Sequence, residues 1–400
     1  MTCPELILRP NSERLLLKGH PWVYSGAVSQ IDAGVEPGQV VDVVSDRGRF
    51  VGRGYYNPRS TIAVRILTRD RSSEIDTDFL AGAIGRAVRL RREDPLLTDT
   101  DAVRLVHGES DGLPGLIVDE YAGYLVIQLH TWGMERLRRE IIDALVQVVT
   151  PKGVYERSDV GTRRADGLRD RPTGLLAGEE PPEHIEVLER GVRLLVDVRR
   201  GQKTGLFIDQ RENRALLQRL AADKSVLNCF SYTGGFSAHA LKGGARHVTE
   251  VDVARDALGL ARHTFATNGA DPSAASLVAA DAFAFLDHLA ERGPRYDVVV
   301  LDPPSMVRKA RDIKNATGVY IKLNRNALRL VRDGGYLLTA SCSSRIEAED
   351  FFQIVRRGAA GARVTTRIQA FNQHPSDHPV DPTFPEGRYL KAILARVYRG

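Results

Sequence analysis

The chain has 400 residues but only three cysteines, Cys3, Cys229 and Cys342. Three thiols are too few for the disulfide framework of a small secreted domain, and they cannot form a four-thiolate zinc site. We therefore expect a cytoplasmic protein that binds no metal. Each cysteine then has to be assessed individually, either as a buried apolar side chain or as a reactive thiol.

Long apolar runs are also absent. No segment approaches the ~18 uninterrupted apolar residues that a membrane-spanning helix needs. The first residues, Met1 to Glu5, lack the basic and apolar regions of a secretory signal peptide. The sequence therefore predicts neither a membrane anchor nor export.

The excess of positive charge is small. Lysine and arginine number 56 against 51 acidic residues, a net charge of +5, and the composition is that of a globular protein of two to four domains. Of the 56 basic residues, 47 are arginine, whose planar fork suits phosphates, although a GC-rich genome produces the same bias. The charge total permits a nucleic-acid partner without requiring one.

Residues 1–74 have the pattern of a small β-barrel. Short apolar or alternating segments at 6–8, 40–44, 50–56 and 62–67 are separated by turn-forming residues, as at Asn57-Pro58. The arginines of this region are predicted to lie on the barrel loops: Arg47, Arg49, Arg53, Arg59, Arg65, Arg69 and Arg71.

Residues 75–198 predict a linker helix over 78–92 followed by an α+β module. The module has the order strand, strand, helix, strand, strand (EEHEE) and ends in a hairpin that turns at Arg190-Gly191. From residue 199 to 400 strands and helices alternate. Continuous apolar runs such as Val298–Leu301 predict strands buried on both faces, and thus an α/β domain with a parallel sheet and an antiparallel edge.

Polar residues follow several of these strands, at the edge where an open parallel sheet binds its ligands. A glycine-bearing turn follows the first strand, and acidic residues or a cysteine follow the others. These are Phe230, Thr233, Gly234, Gly235, Asp252, Asp281, Asp302 and Cys342. The turn is not the G-x-G-x-x-G of a dinucleotide enzyme, and carboxylates suit a cofactor with a ribose and an amine but no phosphate. We therefore expect S-adenosylmethionine.

Asp302 and Cys342 indicate the reaction. Two prolines, Pro303 and Pro304, hold the Asp302 carboxylate rigid, and Ser305 stands where enzymes that methylate exocyclic amines place an aromatic side chain. A thiolate can activate C5 of a pyrimidine by adding to C6, and Cys342 follows the fifth strand, on the same sheet edge as Asp302. A buried structural role is favoured instead for Cys229, which lies within an apolar strand.

Several motifs together resemble the bacterial 23S ribosomal RNA large-subunit methyltransferase I family, over essentially the whole chain. They are Gly19–Ala27, Gln202–Arg211, Leu227–Ser237, Asp302-Pro303-Pro304 and Ser341-Cys342-Ser343. The resemblance implies an N-terminal PUA domain and a Rossmann-like class I methyltransferase domain with a mostly parallel seven-stranded sheet. It implies 5-methylcytosine as the product, and a homodimer is compatible with it.

By this resemblance Cys342 is the nucleophile and Asp302 contacts the cytosine edge. Residues implied at the cofactor are Lys203, Thr204, Asp209, Phe230, Thr233, Gly234, Gly235, Asp252, Asp281 and Asp302. Residues implied at the RNA are Pro303, Pro304, Ser341 and Trp22, with an unpaired or flipped cytosine as target. Trp22, Tyr24, Tyr55 and Tyr56 could stack on bases, but we expect at least two of them to lie in the barrel core.

Two positions depart from the family pattern. Ser344 stands where glycine is usual, and Ser305 stands where many RNA cytosine-C5 enzymes carry a second cysteine. The base that removes the C5 proton is therefore open. Three alternatives remain: 5-methyluridine formation by the same thiolate chemistry, a non-catalytic RNA-binding or ribosome-assembly module, and a small-molecule methyltransferase.

Overall fold

A computed structural model describes residues 3–169, 171, 173–291, 293–307 and 310–400. The chain forms two compact units. The first comprises Met1–Val187, Val196–Ile208 and Ser376–Gly387, and the second comprises Leu188–Leu195, Asp209–Pro375 and Arg388–Gly400. The three predicted domains, 1–74, 75–198 and 199–400, remain a prediction.

The N-terminal part of the first unit is a six-stranded sheet. Its elements are β1 (Glu5–Leu8), α1 (Arg14–Leu17), β2 (Trp22–Tyr24), β3 (Val28–Ile31), β4 (Val40–Val44), β5 (Phe50–Tyr56) and β6 (Ile62–Thr68). The strand order is β2-β6-β5-β4-β1-β3, with only the β1–β4 pairing parallel. Apolar residues of these strands, such as Leu6, Val43 and Val64, are fully buried and form its core.

Two of the arginines predicted on barrel loops lie on strands instead. Arg53 on β5 donates to Asp42 at 2.7 and 3.1 Å, and buried Arg65 on β6 pairs with Asp166 at 3.2 Å. A buried guanidinium needs a carboxylate partner, so both are structural. Tyr55 is a core residue, 1% exposed. Arg47, Arg49 and Arg59 are exposed as predicted, and so is Tyr24.

The middle part of the first unit is an α+β module. Its elements are α2 (Thr77–Arg92), β7 (Ala102–His107), β8 (Leu116–Tyr121), β9 (Tyr124–Leu129), α3 (Trp132–Arg136), α4 (Arg138–Val149), β10 (Gly153–Glu156), α5 (Gly161–Ala165) and β11 (Gly174–Gly178). Its five-stranded sheet has the order β11-β10-β9-β8-β7. Leu80 and Ile84 of α2 and Ile141 and Leu145 of α4 are fully buried in its core.

The predicted EEHEE order was wrong, because the sheet also contains two strands that were not predicted, β7 and β11. In β7 the apolar pattern is interrupted by Arg104, whose guanidinium donates to buried Asp119 at 2.7 and 2.9 Å. The predicted hairpin instead forms a separate two-stranded sheet, β12 (Ile185–Glu189) and β13 (Val192–Val196). It turns at Arg190-Gly191 as expected, and both residues have positive φ, as a tight hairpin turn requires.

The second unit is built on a seven-stranded sheet. Its elements are α6 (Arg211–Leu220), β14 (Ser225–Cys229), α7 (Gly235–Lys242), β15 (His247–Asp252), α8 (Arg255–Thr267), β16 (Ala275–Ala279), α9 (Ala282–Leu289), β17 (Tyr296–Leu301), α10 (Ile313–Leu330), β18 (Val331–Ser341), α11 (Ala348–Ala362), β19 (Thr365–Asn372) and β20 (Lys391–Tyr398). The strand order is β16-β15-β14-β17-β18-β20-β19. The first five strands are parallel, and β20 and β19 are antiparallel to their neighbours.

Short 3-10 helices complete the described structure, at Ser25–Ala27, Pro95–Leu97, Gly108–Asp111, Ile208–Gln210, Pro272–Ala274, Ala310–Asp312 and Pro385–Gly387. None of the helices in the described ranges is long and apolar enough to cross a membrane. The central strands of the second unit are buried on both faces, as their apolar runs predicted.

Candidate active site

The strand order switches between β14 and β17: β15 and β16 lie on one side of β14, and β17 and the later strands lie on the other. Open α/β sheets bind their ligands at such a switch point. Cys229 at the end of β14 pairs with Leu301 at the end of β17. The next residues, Phe230 and Asp302, therefore leave the sheet side by side. On the other flank of β17, Leu301 pairs with Thr339, so β18 delivers Cys342 to the same edge.

The turn after β14 has an unusual backbone. Phe230, Tyr232 and Gly234 all have positive φ, +62°, +51° and +74°. A Cβ on Gly234 would lie 2.8 Å from that of Ala261, so glycine is needed both for its conformation and for its close approach to α8. Thr233, the residue before Gly234, is buried. α7 begins at Gly235, and the backbone N–H groups of its first turn lie at this edge.

Carboxylates lie at the ends of the neighbouring strands. Asp252 accepts hydrogen bonds from the backbone N–H of Tyr232 at 2.8 Å and of Ala254 at 2.9 Å, which fixes the glycine turn against β15. Asp281, exposed after β16, caps α9 by accepting from the N–H of Ala284 at 2.8 Å. Both acids therefore have local structural partners, and both lie at the carboxyl ends of adjacent strands, where open α/β sheets bind their ligands.

A further acid, Glu250, is fully buried beneath the turn. Burial raises the pKa of Glu250 to about 7, and hydrogen bonds with Ser237, Ser231 and Asn228 only partly oppose that rise. The folded protein therefore holds a proton on Glu250 that the unfolded chain releases near pH 4.5.

Because the folded state binds this extra proton, stability should fall as the pH rises from about 4.5 through 7. Glutamine does not titrate, so the Glu250→Gln protein should not lose stability over this pH range. Above pH 7 the free energy of unfolding of Glu250→Gln should exceed that of the wild type by on the order of 3 kcal/mol. Urea unfolding at pH 5, 7 and 8 would measure it. Exposed Glu291→Gln is the control, and a Glu250→Gln advantage that did not grow with pH would contradict the assignment.

Asp302 is held by a directional chain of side-chain amides. Gln210 Nε2 donates to Asp302 Oδ2 at 2.9 Å, Asn213 Nδ2 donates to Gln210 Oε1 at 2.6 Å, and Asn372 Nδ2 donates to Asn213 Oδ1 at 2.9 Å. Gln210 and Asn213 are buried. Since the side-chain oxygens of Gln210 and Asn213 both accept, Gln210 presents its NH₂ to Asp302, and this donor favours the ionised carboxylate.

Cys342 is partly exposed one residue beyond β18. Next to it Ser341 is fully buried and donates to the hydroxyl oxygen of Tyr320 at 3.2 Å. Burial raises the pKa of Tyr320, and negative charge on Cys342 and Asp302 raises it further, so the two predicted catalytic side chains lie within electrostatic range of one phenol. Lys391, buried on β20, donates to the carbonyl of Ser343.

Several residues of this arrangement were not predicted individually, among them Gln210, Tyr320 and Lys391. Gln210 lies inside the segment Gln202–Arg211 that was singled out as a motif, so a signal was present for it. Tyr320 occupies one of many apolar positions on a helix, where nothing marks it. Lys391 is a lone lysine followed by four apolar residues, 392–395, and burial of such a charge is the signal that could have identified it.

Comparison with known proteins places the chain in a family. Residues 105–396 match the model of the S-adenosylmethionine-dependent methyltransferases, and residues 6–69 match that of a PUA-like domain. The chain is 40% identical over 395 residues to the ribosomal RNA large subunit methyltransferase I of Klebsiella pneumoniae subsp. pneumoniae, covering 98% of both chains. The chain belongs to this family. The relative of the same name from Aliivibrio fischeri is also 40% identical, over 98% of this chain and 99% of its own.

A solved structure of a methyltransferase has the same fold over nearly the whole chain. A provisionally assigned methyltransferase, crystallised with S-adenosylhomocysteine (SAH), superimposes with a TM-score of 0.85 at 26% identity, covering 98% of this chain and 99% of its own. The predicted methyltransferase fold with an N-terminal PUA-like domain is thus confirmed, and so is S-adenosylmethionine as the cofactor.

The residues at the sheet edge fit this cofactor chemically. S-adenosylmethionine offers hydrogen-bond donors on its ribose, adenine and amino groups and carries a positive sulfonium. The turn after β14 opens beside the acceptors Asp252, Asp281 and Asp302, whose charge would repel a phosphate. No group of three or more potential ligands within the described ranges is arranged to hold a metal ion.

The remaining predicted site residues of this family member are placed as follows. Asp209, buried in the second unit, accepts from the hydroxyl of Tyr389 at 2.8 Å. Thr204, buried in the first unit, donates to Asp119 at 2.6 Å. Lys203 lies 4.3 Å from the ring centre of Phe207. In the first unit Trp22 donates to Glu109 at 3.0 Å. In the second unit Pro303 is buried and Pro304 exposed.

Proposed function

We propose that this protein methylates C5 of a cytosine in 23S rRNA, using Cys342 as a covalent nucleophile. The observation that carries the proposal is the delivery of Cys342 and Asp302 to one sheet edge by the adjacent strands β18 and β17. The names of the curated relatives support large-subunit rRNA as the substrate class.

Cys342 is the cysteine whose surroundings suit catalysis. Cys229 is fully buried, and burial raises the pKa of its thiol far above the ordinary value, so it stays protonated. The Cys3 thiol donates to the carbonyl of Val40, and burial raises its pKa. Cys342, by contrast, is partly exposed in polar surroundings beside Ser341 and Ser343.

The proposed reaction begins when the Cys342 thiolate forms a bond to C6 of the cytosine, which makes C5 nucleophilic. S-adenosylmethionine supplies the methyl group and leaves as S-adenosylhomocysteine. A base then takes the C5 proton, the electron pair of the C5–H bond restores the C5=C6 double bond, and the sulfur leaves with its bonding electrons.

Asp302 favours cytosine over uracil in this proposal. The amide of Gln210 donates to it, which supports an ionised carboxylate that can accept a hydrogen bond from the exocyclic amine of cytosine. Uracil presents an oxygen at that position, and two acceptors would face each other. Pro303, Pro304 and Ser341 would shape the pocket around the base.

Cofactor contacts follow from the placement of the acids. Asp252 would accept from the ribose hydroxyls and Asp281 from the adenine amino group, while the turn over Phe230, Thr233, Gly234 and Gly235 would receive the rest of the cofactor. Roles for Lys203, Thr204 and Asp209 at the cofactor, and the homodimer, remain predictions.

The PUA-like domain would bind RNA around the target. Its exposed Arg47, Arg49 and Arg59 suit phosphate contacts, and exposed Tyr24 suits stacking. The role predicted for Trp22 is likewise retained as a proposal. A pocket at a sheet edge cannot reach a base inside a duplex, so the target cytosine would be unpaired or flipped out.

Nucleoside analysis tests the proposal. Unmodified 23S rRNA incubated with the protein and S-adenosylmethionine should yield 5-methylcytidine, identified by mass spectrometry of the digested RNA. A 5-methyluridine product would overturn the choice of base. RNA binding without any methylated nucleoside would indicate a binding or assembly module, and methyl transfer confined to small molecules would indicate the remaining alternative.

A further inference from the structure

Lys391 is a buried lysine beside the predicted nucleophile. It begins β20, which runs antiparallel to β18, and its register partner is Ser341, the residue before Cys342. Lys391 is 4% exposed, although lysine is among the residues least often buried. A buried ammonium is retained either because hydrogen-bond acceptors and negative charges compensate its burial or because a function uses its charge.

Backbone carbonyls fix the position of the Lys391 ammonium. Nζ donates to the carbonyl oxygen of Ser343 at 2.5 Å and to that of Tyr389 at 2.8 Å. Tyr389 is held in turn, because its N–H donates to Nε2 of His374 at 3.2 Å and its hydroxyl donates to Asp209 at 2.8 Å. The ammonium is therefore fixed against the residue that follows Cys342, and two of its three donors are used.

We propose that Lys391 is a positioning residue that keeps Cys342 as a thiolate. Its fixed ammonium stabilises negative charge on the sulfur, and the thiol proton passes to solvent before the sulfur adds to C6. This inference rests on the proposed function, in which Cys342 is the nucleophile. Two neutral carbonyls accept hydrogen bonds from the ammonium but do not neutralise its charge, whereas a thiolate would do so.

The charges around Lys391 and Cys342 agree with this role. Burial lowers the pKa of Lys391 to about 8, while the negative charges of Glu347 and Cys342 oppose that lowering. Lys391 is thus still mostly protonated at neutral pH. Tyr320 and Asp302 also lie within electrostatic range of the nucleophile or its neighbours. A carboxylate such as Asp302 close to the sulfur would disfavour the thiolate, and the Lys391 ammonium would oppose that effect.

Alkylation of Cys342 tests the proposal without RNA or cofactor. The full-length protein is treated with iodoacetamide across pH 5.5–10, and modification of each cysteine is followed by mass spectrometry of its peptides. We expect the Cys342 midpoint of the wild type to lie below the ordinary thiol value of about 8.5. In Lys391→Met it should rise by ~1 unit or more, and in Lys391→Arg, which keeps the charge, it should stay near the wild-type value.

Cys3 provides an internal control, because the charged groups that act on its thiol, Asp42 and Arg53, are unchanged and it should titrate identically in all three proteins. An unchanged Cys342 midpoint in Lys391→Met would overturn the proposal. A wild-type midpoint at or above the ordinary value would do so even if Lys391→Met failed to fold. If the midpoint shifts while nucleoside analysis finds no 5-methylcytidine, the proposed function fails and the thiolate assignment stands.

Discussion

Replacement of Cys342 by alanine is expected to abolish methyl transfer to rRNA. In the proposed mechanism C5 of the pyrimidine has no route to nucleophilic activation without the sulfur, and loss of a covalent nucleophile typically lowers turnover by roughly four orders of magnitude or more. The partly exposed side chain follows β18 without filling the core, so folding should be unaffected. Incorporation of label from S-adenosylmethionine into rRNA measures the effect.

The proposed covalent step can be tested separately. RNA carrying 5-fluorocytidine at the target should trap the wild-type protein, because fluorine at C5 cannot leave as a proton and the bond from sulfur to C6 persists. The Cys342→Ala protein should form no such adduct. Cys3→Ala is the matched control and should both methylate and trap. Methylation that survives in Cys342→Ala would show that the mechanism is not covalent through this residue.

The largest effect on stability is expected from Glu189→Gln. Glu189 is fully buried in the second unit, where Arg214 donates to both its oxygens at 2.7 Å. His239 lies 3.2 Å and Arg211 lies 3.6 Å from the same carboxylate. Burial alone would raise the pKa of Glu189, but Arg214 and His239 outweigh it and hold that pKa far below the ordinary value.

Loss of this carboxylate leaves buried guanidinium groups uncompensated. Breaking one side of a buried ion pair costs about 3–5 kcal/mol, which in a unit of this size lowers Tm by roughly 10 °C. The shift is measured by circular dichroism at 222 nm, because both tryptophans, Trp22 and Trp132, belong to the first unit and would not report on the second.

Glu212→Gln is the matched control for Glu189→Gln. Glu212 pairs with Arg190 at 2.7 Å, but both side chains are partly exposed, 39% and 25%. Such pairs contribute about 0–1 kcal/mol, so the control should unfold close to the wild-type temperature. If the two variants were equally stable, the buried cluster would not stabilise the second unit.

Much of the second unit was predictable from local patterns. Apolar runs such as Val298–Leu301 predicted buried parallel strands, and the strand boundaries located Asp252, Asp302 and Cys342 at one edge. The reason is geometric, since parallel strands joined by helices all end on the same side of the sheet. The pairings of β17 with β14 and β18 follow this rule.

Parts of the structure that were not predicted depend on partners that are distant in the sequence. β7 carries Arg104 in its centre, and only the pairing with Asp119 on β8 makes that position compatible with a buried strand. The segment Ser376–Gly387 belongs to the first unit although it follows β19. Its carbonyl at Asp377 accepts from Arg91 at 3.1 Å, a contact between residues 286 positions apart.

The sequence by itself determined the fold class, the candidate ligand-binding edge of the sheet, the cofactor class and the candidate nucleophile. Each depends on residue type and on order along the chain, which local patterns record. Tertiary structure alone decided the surroundings of those residues: the amides that orient Asp302, the phenol beside Ser341 and the buried ammonium of Lys391. These come from distant segments that meet only after folding, and burial then sets the charge that each group carries.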